Sequence, residues 1–309
     1  MPHIFVNLKR FQALQCFGGL CSMDEPVAWI ESVIEETVQS GLGSLVGLQL
    51  TLLLPEGLID AAVKKIKTFP EAQTSTIRIG CQGVHWDDIT LGGNFGAFTT
   101  SLPAAAAKSL GSTWTIIGHS EERKAKLQII QAFEPAIERD ERSRSRALVA
   151  VDHLIHAEVQ CALRAGLDVL LCVGETAKER GSGSFEEQKP RIQAVLKSQL
   201  TANLENANGF LDDRQIVIGY EPIWAIGPGK TPPGKDYISF VSAYIKQVVL
   251  ENFEFDPVVV YGGGLKEENA SMISSIETIG GGLVALTRFT GDIGFDVKGL
   301  KRIIEKYQS

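Results

Sequence analysis

The chain contains 309 residues, carries a formal net charge of −7 and is 44% hydrophobic. This length fits one α/β barrel or two ordinary domains, and the hydrophobic fraction is sufficient for a large core. The negative charge argues against nonspecific binding of nucleic acid, which requires basic patches. We therefore expect no nucleic-acid partner. No apolar run approaches the ~18 residues that cross a bilayer, so we expect no membrane partner either.

Short β-like runs alternate with longer amphipathic segments about eight times along the chain. This alternation predicts an α/β fold, a single (β/α)8 barrel spanning residues 1–309 with surface insertions. An open doubly wound sheet is the alternative, but its usual G-x-G-x-x-G turn does not follow the first strand of this sequence. The predicted strands cover residues 4–8, 45–50, 76–81, 113–117, 169–173, 215–219, 257–261 and 282–286, and the clearest helices cover residues 25–39, 56–67 and 237–250.

The sequence favours a cytoplasmic location. The first ten residues, MPHIFVNLKR, lack the apolar region and the small-residue cleavage site of a signal peptide. The five cysteines are an odd number without the spacing of a disulfide scaffold. This cysteine pattern predicts reduced thiols.

Polar residues follow two of the predicted strands. Asn7 and Lys9 end the first strand, and alternation along the strand places both on one face. A lysine directed into a barrel mouth needs an anion or a developing negative charge; a strand-end surface lysine is the alternative. His119 follows the fourth strand at the start of a helix, whose N-terminal amides favour a neutral imidazole. This pattern makes His119 a candidate electrophile, although a structural histidine is the alternative for this residue alone.

Residues 219–231 read GYEPIWAIGPGKT and follow a buried β-like run. Glu221 ends that strand, and Pro222 prevents the chain from running straight into a helix. The apolar segment that follows contains two glycines that can act as hinges. The pattern favours a general base beneath a mobile lid, and a surface glutamate before an ordinary loop is the alternative. A phosphate-binding P-loop is excluded because Trp224 stands where that motif needs its first glycine.

Residues 124–150 exceed what a minimal barrel requires, so we predict an insertion there, followed by a helix that begins near Asp152. The segment contains the charge run ERDERSRSR, which is typical of a solvated loop and a short helix. His153 and His156 lie one helical turn apart near Glu158. Two histidines without a third convergent ligand are more often surface residues, so we predict no metal site.

These motifs together resemble the triosephosphate isomerase family. The lid pattern of that family, E-P-x-W-A-I-G-x-G-K-T, matches the chain from Glu221 to Thr231, and its G-H-S-E-R-R motif differs only at Glu122. The match of the first strand to the family's G-N-W-K motif is partial. Further landmarks are Gln82, His85 and Trp86, GAFT at residues 96–99, CVGE at residues 172–175 and YGG at residues 261–263.

The resemblance implies an aldose–ketose phosphate isomerase that needs no metal or organic cofactor. It implies that Glu221 removes a proton next to the substrate carbonyl while neutral His119 hydrogen-bonds to the carbonyl and enediol oxygens; this pairing is the established one in the family. Lys9 would stabilise the enediolate charge. Asn7 would help to orient the substrate, and Glu121 would position Lys9 and balance its charge.

The phosphate site of the family uses backbone amides of the lid glycine, of a serine after YGG, and of a Gly-Gly pair after the last strand. Gly227 matches the first and Gly264 replaces the serine, while residues 286–289 stand in place of the Gly-Gly pair. We therefore expect Thr287 and Arg288 in the substrate site, with the guanidinium replacing the lost amides. The alternative is a surface ion pair for Arg288. This ending resembles divergent relatives proposed to act on tetrulose phosphates.

The resemblance also implies an assembly and a substrate class. The loop from Trp86 to Thr99 resembles the family loop that inserts into a partner subunit, so we expect a homodimer that binds a small phosphorylated sugar. Triosephosphate is the first expected substrate and an erythrulose or tetrulose phosphate the second. A catalytically inactive sugar-phosphate-binding barrel is a third hypothesis, but such a protein would be expected to lose the base or the electrophile, which are both present.

Overall fold

The computed structural model describes residues 1–227, 229–289 and 291–309. Pro228, which belongs to the predicted lid, lies outside the described residues. Within the described part, parallel strands close into a barrel in the order β1 to β8, each paired with its neighbours in sequence and β8 paired with β1. The strands are β1 His3–Asn7, β2 Gln49–Leu54, β3 Ile77–Cys81, β4 Trp114–Ile117, β5 Asp168–Val173, β6 Ile216–Tyr220, β7 Val258–Tyr261 and β8 Gly281–Val284.

Helices follow the strands and surround the barrel. The α-helices are α1 Pro26–Gln39, α2 Glu56–Ile66, α3 Ala104–Ser109, α4 Ser120–Phe133, α5 Glu141–Arg164, α6 Ala177–Arg180, α7 Phe185–Asn203, α8 Lys235–Phe253, α9 Ala270–Ser274 and α10 Val297–Gln308. Short 3₁₀ helices cover Gln15–Phe17, Leu42–Ser44, Glu71–Gln73, Pro135–Glu138, Ala207–Phe210 and Ile223–Ala225. The predicted (β/α)8 barrel is therefore confirmed.

The core has two layers because the strands are buried on both faces. The inner layer fills the barrel and consists of Phe5, Leu53, Trp114, Ile116, Leu170, Cys172, Val217, Val260 and Leu283. The outer layer packs the alternate strand residues, such as Ile4 and Val6, against the helices. Because Phe5 faces the interior, Asn7 two residues later faces the same way and reaches the mouth of the barrel.

Two strands differ from the sequence prediction by more than one residue at a boundary, and the other six agree to within one residue. The sequence predicts the second strand at residues 45–50, whereas β2 occupies Gln49–Leu54. Gly47 has a φ of 77°, which no strand residue adopts, so only the second half of this apolar run can pair. The last strand ends at Val284 rather than at residue 286, because its pairing with β1 runs from Gly281 to Val284.

The segment predicted as an insertion is mostly helical, rather than a solvated loop with a short helix. Residues 141–146 of the charge run form the start of α5, which begins at Glu141 and not near Asp152. Asp140 caps this helix by accepting a hydrogen bond from the Ser143 amide at 2.7 Å. Helices α4 and α5 therefore form a long helical pair, joined by a short 3₁₀ helix. Among the residues that the structure describes, no helix is long and apolar enough to cross a membrane.

Candidate active site

The carboxyl ends of the strands open into a cavity of about 1220 Å³. Ligand pockets commonly measure ~300–1,000 Å³, so this cavity is larger than usual. Its far end extends between α5 and α7. The structure brings most of the predicted site residues to its lining, namely Asn7, Lys9, His119, Glu121, Glu221, Gly227 and Gly264.

Glu221 is a buried carboxylate at the end of β6, only 2% exposed to solvent. Its two oxygens accept hydrogen bonds from Ser120, one from the amide and one from the hydroxyl, both at 2.9 Å. The backbone around it is tightly packed, because a Cβ on Gly174 would lie 1.8 Å from the Glu221 carbonyl oxygen. A buried carboxylate held in a fixed position is suited to act as a base once it leaves Ser120.

His119 links β4 to α4 and is the N-cap residue of that helix. Its Nδ1 accepts a hydrogen bond from the Glu121 amide at 3.3 Å, so this nitrogen carries no proton. A neutral ring then carries its proton on Nε2, which lies 3.3 Å from Glu221 Oε1. The imidazole thus presents an N–H donor to the cavity next to the carboxylate.

Lys9 owes its position to a turn rather than to strand alternation. Strand β1 ends at Asn7, and Lys9 adopts a left-handed φ of 43°, which is uncommon for a side chain with a Cβ. Its amide donates to Asn7 Oδ1 at 3.0 Å. Gln82 fixes the same turn by donating from its side chain to the Lys9 carbonyl at 2.8 Å and to Asn7 Oδ1 at 3.3 Å. Strained backbone that the surroundings hold in place is typical of functional sites.

Lys9 Nζ forms an ion pair with Glu121 Oε1 at 2.5 Å. Partial burial would raise the pKa of Glu121, but the hydrogen bond and the charge of Lys9 outweigh it and hold that pKa below its usual value. Glu121 is therefore ionised at neutral pH, and its ion pair holds the ammonium at the cavity wall.

The start of the lid is anchored by a buried carboxylate, Glu175. Three donors converge on its Oε1: Tyr220 at 3.0 Å, Trp224 at 2.7 Å and Tyr237 at 2.7 Å. Burial raises the pKa of Glu175 although these hydrogen bonds oppose the shift. Trp224 belongs to the lid, and Arg180 stacks on its ring at 3.7 Å. The lid therefore begins from a fixed point next to Glu221.

The far wall of the cavity differs from the sequence prediction. Because β8 ends at Val284, the two residues directly after it are Ala285 and Leu286, and both line the cavity. Neither Thr287 nor Arg288 belongs to the lining, taken over the described residues. The Thr287 hydroxyl instead bonds to the backbone of Asp296, accepting from its amide at 2.8 Å.

Arg288 is turned away from the cavity by a local hairpin. Its backbone exchanges hydrogen bonds with Gly294, and its Nε lies 3.2 Å from the Asp296 carboxylate. The side chain is about half exposed. The structure therefore places Arg288 in the surface ion pair that the sequence analysis considered as its alternative.

Over the described residues, no three His, Cys, Asp or Glu side chains converge in a way that could hold a metal ion. His153 and His156 both lie along α5. Glu158, two residues further, pairs with Lys126 at 2.8 Å rather than with either histidine.

Comparison with known proteins agrees with this geometry. The family model described as triosephosphate isomerase matches residues 55–292. The triosephosphate isomerase of Alkaliphilus metalliredigens is 36% identical over 217 residues, which cover 68% of this chain and 71% of the relative. This chain belongs to the triosephosphate isomerase family. The triosephosphate isomerase of Escherichia coli O1:K1 / APEC is 33% identical over 247 residues, 79% of this chain and 80% of that relative.

A solved triosephosphate isomerase structure, from Bartonella henselae, superimposes with a TM-score of 0.66 at 22% identity. The match covers 100% of this chain and 99% of that one, and it supports the shared barrel fold.

Two contacts at this site were not predicted from the sequence. Ser120 belongs to a recognised motif, but its bonds to Glu221 join residues 101 positions apart in the chain. Gln82 is a sequence landmark, and only the structure shows that it holds the Lys9 turn. Both contacts depend on barrel closure, so no local pattern could have indicated them.

Proposed function

We propose that this protein interconverts dihydroxyacetone phosphate and glyceraldehyde 3-phosphate by proton transfer through an enediol. The observation that carries the proposal is the convergence of three groups on one cavity: Glu221, His119 and Lys9. Membership of the triosephosphate isomerase family supports the same reaction.

The position of each of these groups suits it to one step of the isomerisation. Glu221 breaks its bonds to Ser120 and takes a proton from the carbon next to the carbonyl. The Nε2–H of His119 donates to the carbonyl oxygen as negative charge develops there. Lys9 stabilises that charge, and Asn7 holds the turn that presents Lys9. Glu221 then returns its proton to the neighbouring carbon, while the former carbonyl oxygen takes the Nε2 proton of His119 and the substrate hydroxyl gives its proton back to Nε2. Ketose becomes aldose, and atoms and charge balance without a cofactor.

Phosphate binding in this proposal relies on backbone amides of Gly227 and Gly264. Both residues line the cavity with left-handed φ values of 120° and 90°. A Cβ on Gly264 would meet no atom within 4 Å, so open space surrounds it on that side. Glycine is the residue that adopts these conformations without strain and lets a phosphate approach the backbone.

A coupled assay of the purified protein with glyceraldehyde 3-phosphate tests the proposal. Activity that disappears in Glu221→Gln belongs to this protein and not to a host isomerase carried through purification. Absence of activity in the wild-type protein with both triose phosphates would contradict the proposal.

A four-carbon sugar phosphate is the second candidate substrate. The favouring observation is the pair Ala285 and Leu286, whose side chains line the cavity directly after β8. The family has its Gly-Gly pair after the last strand. These side chains keep a phosphate from the close approach to the backbone that glycines permit. The same assay repeated with erythrulose phosphates decides between the candidates by comparing kcat/KM.

Arg288→Ala should leave KM unchanged within about twofold for any active sugar phosphate. The reason is that the Arg288 side chain pairs with Asp296, and that, among the described residues, Arg288 does not line the cavity. Exposed ion pairs contribute little, ~0–1 kcal/mol, so folding should be preserved. Steady-state kinetics of this variant provide the measurement. A KM raised tenfold or more would instead support the charged phosphate contact that the sequence predicts.

We further propose a homodimer formed through the loop from Trp86 to Thr99. Asp88 anchors the base of this loop by accepting from the Ala105 amide at 3.1 Å. Leu91 and Phe95 nevertheless project outward, 108% and 86% exposed. Large apolar side chains on an anchored loop are typical of a surface that another protein covers.

Replacing Leu91 and Phe95 together by aspartate should convert the dimer to a monomer, because the charges cannot enter an apolar contact. Sedimentation at assay concentration gives the mass. Val46→Asp is the matched control, since Val46 is 96% exposed but lies before β2, at the opposite end of the barrel. A wild-type protein that sediments as a fully active monomer would contradict the dimer.

A further inference from the structure

The peptide of Gly118 joins β4 to His119 and is clamped by two side chains from the first turn of α4. Its amide donates to Glu122 Oε2 at 2.6 Å, and its carbonyl accepts from Arg123 Nε at 2.8 Å. Arg123 is itself fixed by an ion pair with Asp152 at 2.7 Å. Gly118 has a φ of 75°, and a Cβ there would lie 2.8 Å from the Cys172 carbonyl oxygen. The turn before His119 thus has little freedom to move.

Glu122 is held by a small buried cluster of charges. Lys126, one turn further along α4, pairs with Glu122 and also with Glu158 of α5 at 2.8 Å. The side chains of Lys126 and Glu158 are 11% and 3% exposed. Two carboxylates therefore face one ammonium in a place that water barely reaches.

The protonation of this cluster fits its burial. Burial and the negative charge of Glu122 raise the pKa of Glu158 to about 9. Burial opposes ionisation of Glu122, but hydrogen bonds from Glu158 and Lys126 hold the pKa of Glu122 below its usual value. At neutral pH one negative charge then faces one positive charge, and the ionised oxygen of Glu122 is the acceptor for Gly118.

We propose that Glu122 is a positioning residue for His119, acting through its hydrogen bond to the Gly118 amide and kept in place by Lys126 and Glu158. The family motif carries an arginine at this position, which offers no acceptor to an amide. The hydrogen bond from the Gly118 amide to Glu122 is therefore a feature of this chain that the family motif does not supply. The inference rests on the proposed isomerase function.

Two conservative variants separate the effect of the length of the Glu122 side chain from the effect of its charge. Glu122→Gln keeps the side-chain length and an acceptor oxygen, and Glu158 can then ionise to balance Lys126. Glu122→Asp keeps the charge but withdraws the oxygens by one methylene, beyond hydrogen-bond distance of Gly118. We expect kcat within about threefold of wild type for Glu122→Gln. For Glu122→Asp we expect kcat at least ~10-fold lower with KM nearly unchanged, because misplacement by ~1 Å costs up to ~10²-fold.

The matched control is Glu186, which lies in the first turn of α7 and pairs with Lys189 at 2.5 Å on an exposed surface. Glu186→Asp should leave kcat and KM unchanged. NMR of the imidazole nitrogens provides a readout that does not depend on activity: the His119 signals should shift in Glu122→Asp and stay in place in Glu122→Gln.

The outcomes distinguish this inference from the function on which it rests. Equal kcat for wild type and Glu122→Asp, with unshifted His119 signals, would overturn the positioning role while the isomerase stands. Equal losses in both Glu122 variants would also overturn it, because the length of the side chain alone would then not account for the loss. A wild-type protein without activity would contradict the proposed function, and the NMR comparison would still decide the positioning role.

Discussion

Glu221→Gln should lower kcat by about 10²–10⁴-fold with little change in KM. General acid–base groups contribute about this much to catalysis, and the amide cannot accept the substrate proton. The replacement has the same shape, and one amide oxygen can still accept from Ser120, which contacts both carboxylate oxygens in the structure. Steady-state kinetics with the better of the two candidate substrate classes provide the measurement.

Two further variants make the Glu221 experiment decisive. Glu221→Asp keeps a base but withdraws it, so its kcat should fall less than that of Glu221→Gln. Glu277→Gln, an exposed glutamate in the turn before β8, controls for purification and should retain full activity. A Glu221→Gln enzyme with more than a tenth of wild-type kcat would remove Glu221 from the role of base.

The barrel and the residues at its mouth could be predicted from the sequence, and the physical reason is the geometry of a parallel barrel. In a closed parallel barrel all carboxyl ends of the strands face the same side, so strand-end polar residues must meet there. Glu221, His119 and Asn7 each end or follow a strand and line the same cavity in the structure. Lys9 also lines it, but through a left-handed turn that strand alternation does not predict.

The part that sequence could not predict depends on register and on contacts between distant segments. The end of β8 follows from pairing with β1, and this pairing makes Ala285 and Leu286 the residues that face the cavity. Arg288 was expected beside them because it is close in sequence. A bridge to Gly294 turns the chain, however, so the guanidinium meets Asp296 instead.

The cluster of Glu122, Lys126 and Glu158 is a second contact between distant segments that the sequence does not predict. The sequence shows Glu122 only as a departure from the family motif, without a reason for it. The reason lies on α5, where Glu158 shares Lys126 with Glu122 across the helical pair. The segment predicted as an insertion thus includes the start of α5, the helix whose Glu158 contacts Lys126.

His119→Gln should lower kcat by about 10²–10³-fold, the usual effect of removing a preorganised donor at a developing oxyanion. In the wild type the Glu121 amide orients the imidazole by donating to Nδ1 at 3.3 Å. Glutamine keeps an N–H donor, but its flexible side chain is not oriented by the Glu121 amide in this way. KM should change little because the donor acts most strongly in the transition state. His153→Gln, an exposed histidine on α5, is the matched control and should behave as wild type.

The ring state of His119 can be measured directly in the wild-type protein. Nitrogen NMR at pH 7.5 should show an unprotonated Nδ1, which accepts from the Glu121 amide, and a proton on Nε2, which lies 3.3 Å from Glu221. A proton on Nδ1 would contradict this hydrogen-bond assignment and leave Nε2 without the hydrogen that the carbonyl needs. Retention of more than a tenth of wild-type kcat in His119→Ala would go further, because the electrophile would then have to be another group. Lys9, which lines the same cavity, is a candidate.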